Sequence, residues 1–151
     1  MSNLNHLAAV MSTEAELTEQ LVEVLKRQQE ALVKTDATGI ASAIEVQEEL
    51  LLPIEGLEQE RQRLTKEVWA EIGSRPTEDE QVNLSMLLSH LEKADAEELS
   101  SAGGRLRAAI SDVMSVNEAN RYLIDHSRKF VRETFRIVTN GFSRQLVDHK
   151  I

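Results

Sequence analysis

From Leu99 to Val138 apolar residues recur in steps of three, four and seven, with no proline to interrupt them. One long helix puts those side chains on a common face, and a strand period of two does not. With Asn117 at heptad position a, the a line runs Gly103, Ile110, Asn117, Ile124, Val131, Val138, and the adjoining g line runs Ala102, Ala109, Val116, Leu123, Phe130, Ile137. The d line goes the other way, from Leu106 and Val113 to Asn120, Ser127 and Thr134. The apolar surface therefore turns off the usual a/d seam toward the C-terminus. Three stacked pairs result, Leu123-Ile124, Phe130-Val131 and Ile137-Val138. Up to Val116 the seam can be covered by the preceding helices. Beyond it, Leu123 to Asn140 has no obvious internal partner.

Composition agrees with a helical chain. Its 151 residues are 41% hydrophobic, with 3% aromatics and two prolines, which suits a single domain over 1–151 built from long helices. The charge of −9 is unevenly spread. Residues 1–120 hold 10 Lys and Arg against 23 Asp and Glu, whereas 121–151 hold 7 against 3, so an acidic body carries a basic end. There is no cysteine, no signal-peptide pattern and no apolar run of about 18 residues, which points to the cytoplasm and no membrane insertion.

In chain order, Leu4, Leu7, Ala8 and Met11 are helically spaced, and Thr13 with Glu16 forms a capping box, so the first helix starts at one of these two places. Its face runs to Lys34, and Thr35-Asp36 offers the cap of a second helix of about 36 residues. Pro53 predicts a kink near Glu49 to Pro53. Gly73-Ser74-Arg75-Pro76 ends that helix, and Thr77 with Glu80 opens a short third one over Val82 to Leu91, closing near Ala94. Asp95 then caps a fourth helix of about 44 residues, stopped by Asn140-Gly141. Gly103-Gly104 inside it marks close helix contact or a hinge. The fold expected is all-α, an antiparallel bundle of long helices with coiled-coil character and a long C-terminal helix.

Chemistry is thin. No Glu-x-x-His pair, phosphate loop or cysteine nucleophile is present, so the sequence points to no enzyme, no metal and no cofactor. Of the basic positions Arg121, Arg128, Lys129, Arg132, Arg136 and Arg144, four flank an apolar ridge, and Asp125 and Glu133 interrupt them, which suits a solvated face or a rim for an acidic partner helix better than nucleic acid. Asn117 and Asn120 lie on the seam, where an asparagine fixes register or partner choice.

Asn117-x-x-Asn120-Arg121-x-Leu123-Ile124, following a leucine-spaced helix, resembles the C-terminal pattern of the FlgN family of flagellar export chaperones. Leu17-x-x-Gln20-Leu21, Glu30-Ala31-Leu32, Asp36, Ile40, Leu51-Leu52 and Glu60-Arg61 follow the order of that family's opening helical hairpin. The resemblance spans Leu17 to Val138. It implies a cytoplasmic type III export chaperone that binds C-terminal amphipathic helices of hook-filament junction proteins (hook-associated proteins), keeps them soluble and delivers them to the export gate. On this reading Asn117, Asn120, Leu123, Ile124, Phe130, Val131, Ile137 and Val138 meet the partner, and Tyr122, at outward position f, is the candidate for docking an export gate component. The alternative is a non-enzymatic coiled-coil scaffold or homodimerisation protein using the same ridge, with a homo-oligomer when free.

Overall fold

The computed structural model describes residues 2–73 and 82–149, with side chains described for residues 3–73, 82–129 and 132–140. Four helices follow one another, α1 (Ser2–Lys34), α2 (Ala37–Glu71), α3 (Leu84–Leu88) and α4 (Lys93–His149), and the described residues contain no strand. The all-α architecture expected from the periodicity is the one observed.

α1 takes the earlier of its two possible starts. Thr13 is thus inside the helix, and its hydroxyl donates to the Ala9 carbonyl at 3.0 Å instead of capping a terminus. The turn into α2 is short. Thr35 sits in the left-handed region at φ 55, and the Asp36 side chain accepts from the Gly39 amide at 3.1 Å, the expected N-cap. α2 runs through exposed Pro53 as one 35-residue element. It ends beside Gly73, whose φ of 91 a side chain would strain.

The limits of α3 and α4 differ from the sequence expectation, α4 starting at Lys93 with Asp95 inside its first turn instead of capping it. The Thr77 and Glu80 box lies outside the described residues, and α3 is only five residues long, with the Asn83 side chain accepting from the Met86 amide at 3.0 Å. It closes at Leu88, where the backbone tightens to i,i+3 bonds, His90 N–H donating to the Leu87 carbonyl at 3.0 Å and Leu91 N–H to the Leu88 carbonyl at 3.4 Å. α4 is longer than expected, at 57 residues, and passes through Asn140-Gly141 without stopping. A glycine inside a helix costs about 1 kcal/mol, too little to end a helix that propagates on both sides of it.

Cross-helix contacts set the directions. α2 runs antiparallel to α1, since Asn3 donates to Glu71, Arg61 Nε lies 3.9 Å from Glu14, and Gln47 donates to Gln28 at 2.9 Å. α4 runs antiparallel to α2 and parallel to α1, because Arg105 meets Glu19 and Asn120 meets Leu25 and Gln28, at sequence offsets of 86 to 95. α1 is the middle helix. It packs along both α2 and α4, while no Cα of α2 comes within 8 Å of α4 among the described residues.

Being covered on two sides, α1 buries a broad stripe that includes Leu4, Leu7, Met11, Leu21, Val24 and Leu25. The densest packing is at its N-terminal end, where Leu7, Leu64, Val68, Leu87 and Leu99 are enclosed and Trp69 meets His90 edge to face at 5.1 Å. Each such leucine contributes roughly 1.5 to 3 kcal/mol. Gly103 explains the choice between contact and hinge. A Cβ there would stand 2.3 Å from Leu84 Cδ2, so it lets α3 sit against α4, whereas Gly104 faces open space.

Candidate partner-binding helix

The parallel register of α1 and α4 decides where α4 loses its neighbour. At offsets of 86 to 95, Lys34 at the end of α1 lies level with about residue 126 of α4. About 24 further residues then extend roughly 36 Å beyond α1. Leu123 and Ile124 are half-buried, so cover reaches two turns past Val116. Among the described residues only α1 approaches this level of α4 closely enough to supply it.

Beyond that level the described part of the apolar ridge is bare. Ile137 and Val138 are 70% and 62% exposed, and every described side chain from Arg132 to Asn140 is exposed. The side chains of Phe130 and Val131 lie outside the described residues. Asn117 is exposed, and Tyr122 points outward as its position predicts, with its ring stacked on His126 at a centroid distance of 6.1 Å.

Asn120 is placed differently from its companions. It is 1% exposed, and its Nδ2 donates to the Leu25 carbonyl at 2.9 Å and to Gln28 Oε1 at 3.3 Å. Gln28 Oε1 also accepts from Gln47, so one glutamine of α1 joins both flanking helices. An enclosed amide bonded to a neighbouring backbone tolerates little slippage, so Asn120 acts as a register pin within the chain. It therefore has no surface to offer a partner.

Several residues were not singled out from sequence. Phe135 falls off the g and a lines, yet it is 72% exposed beside Arg132 and Arg136. Its signal was its type, as one of three phenylalanines. Ile44, Leu51 and Leu52 of α2 are also exposed. The buried Glu14 had no signal, since in sequence it is an ordinary polar position of a helix. Burial, and then the hydrogen bond to Glu58, raises its carboxyl to about 8 against the opposing charge of Arg61. Arg61, which donates to Glu58 at 2.8 Å, holds Glu58 down to about 2.

A model of the FlgN protein family matches residues 1–147. The chain belongs to the FlgN family. FlgN proteins are flagellar export chaperones, and the match takes in both the packed bundle and nearly all of the projecting end of α4. No curated protein and no solved structure matches the chain. As a FlgN protein it has no described helix long and apolar enough to cross a membrane.

Proposed function

We propose that this FlgN protein binds the C-terminal amphipathic helices of hook-filament junction proteins through the part of α4 that outruns α1, keeping them soluble in the cytoplasm until export. The observation that carries this reading is the ridge beyond residue 126, where Ile137, Val138 and Phe135 stand exposed on a stretch of helix with no neighbour among the described residues. An apolar helix face of this kind fits the face of another amphipathic helix. Leu123 and Ile124, half-covered by α1, form the inner end of the surface, and Phe130 and Val131 continue it in sequence. Asn117 adds a polar contact at the rim. Tyr122 is assigned to an export gate component, since it is exposed and lies off the ridge.

Calorimetry with a C-terminal peptide of a junction protein tests the mechanism. Ile137→Ala with Val138→Ala is expected to weaken binding by about 2 kcal/mol or more, and Arg128→Ala by less than about 1. The reverse order would show that the basic rim, and not the ridge, holds the client. Tyr122→Ala should leave peptide binding intact and remove retention on the gate component. Loss of both would place Tyr122 in the client surface instead.

A further inference from the structure

The basic end of α4 has a counterpart on α2. Residues 37–60 contain six glutamates and no lysine or arginine. Glu58 and Glu60 are held by Arg61 and Arg63, but Glu45, Glu48, Glu49 and Glu55 are exposed and form no ion pair among the described residues. Exposed Leu51 and Leu52, at 50% and 75%, lie between them. On α4, Arg128, Lys129, Arg132 and Arg136 are likewise exposed without an ion pair among the described residues, and they alternate with Phe135, Ile137 and Val138. The α2 strip is edged only by negative charge and the α4 strip by four positive charges with Glu133 among them, so the net signs are opposite.

Position and length also agree. α2 begins at the end of the bundle where α1 turns, and the free part of α4 leaves from that same end. The acidic stretch of 24 residues is roughly 36 Å long, the same as the projecting part of α4. Within one chain the two cannot meet, because α4 continues as a helix away from its own α2. In a second copy turned end to end they can.

We propose that two copies associate about a two-fold axis at this end, each laying its projecting α4 along the acidic face of the partner's α2. The arrangement uses the same contact twice, as a closed dimer must. Leu51 and Leu52 would meet the strip around Ile137, while arginines and glutamates pair along the edges, setting orientation and adding salt dependence. The inference rests on charge, length and placement and not on the client reading. It goes beyond that reading by naming what covers the ridge when no client is present.

Sedimentation of the full chain without client tests it, at concentrations up to about 100 μM to detect micromolar association. A dimer that weakens as salt rises is expected. Arg132→Glu with Arg136→Glu should weaken it at least tenfold, and so should Glu45→Lys with Glu48→Lys, each variant keeping its helical circular dichroism. Mixing the two variants restores both contacts in a mixed pair, so an equimolar mixture should dimerise again. A monomeric native chain, a dimer indifferent to the α2 reversals, or a mixture that stays monomeric would each overturn the proposal. None of these outcomes affects peptide binding by the monomer, which calorimetry reads separately.

Discussion

From Leu99 to Ala109, α4 buries Leu99, Ala102, Leu106 and Ala109, whereas from Arg132 to Asn140 the same helix exposes every side chain, including Phe135, Ile137 and Val138. Both stretches are amphipathic. They differ in what lies opposite, since α1 ends at Lys34 and α4 runs on to His149. An apolar face therefore becomes core or docking surface according to the length of its neighbour, and the larger residues stand on the bare half.

Hydrogen exchange should show the largest contrast. In dilute protein, amides of Arg132 to Asn140 are expected to exchange orders of magnitude faster than those of Leu99 to Ala109, because only the latter need the bundle to open. Equal protection at a demonstrated monomer concentration would break the comparison. Truncation sharpens it next. Leu99→Ala should lower unfolding stability by about 2 to 5 kcal/mol, and Ile137→Ala by no more than about 0.5, in denaturant melts.

The third expectation concerns pH and the α1–α2 packing near Glu14. Its folded pKa of about 8 lies above the ordinary carboxyl value of 4.5, so folding favours the protonated form. That contribution is complete below about 4.5 and is lost as pH rises through 8. Glu14→Gln, which keeps a neutral polar group, should gain roughly 1 to 3 kcal/mol over the native chain at pH 8 to 9 and little at pH 4.5. A difference independent of pH would mean that Glu14 is not protonated in the fold. Glu58, held down to about 2, works in the opposite sense, with stability present above 4.5 and lost as pH falls toward 2.

The smallest effect separates two adjacent glycines. Gly104→Ala should stabilise by about 0.5 to 1 kcal/mol, since the site is open and helical. Gly103→Ala should destabilise, because the new methyl meets Leu84 and the leucine must move. If both stabilised, α3 would not be held against α4 as closely as described.

Much of the fold was legible because helices announce themselves locally. The Asp36 cap, the Gly73 stop and the period of the apolar residues each depend on a few neighbouring positions, and they located the end of α1 and both ends of α2 to within a few residues. The outward placement of Tyr122 and the shared apolar face of Ile137 and Val138 were legible for the same reason, as a helix period assigns faces. The limits of α3 and α4 were less so, because the backbone of one tightened to i,i+3 bonds at His90 and Leu91 and a lone Asn-Gly did not end the other.

The sequence by itself determined that this chain is helical, where its first two long helices turn, and which stripe of each helix is apolar. Only the tertiary structure decided what covers each stripe. Periodicity describes one helix at a time, whereas burial depends on register between helices remote in sequence. That register put Asn120 on Leu25 and Gln28, enclosed Glu14, set Gly103 under Leu84, and carried α4 past the end of the only long helix it packs against.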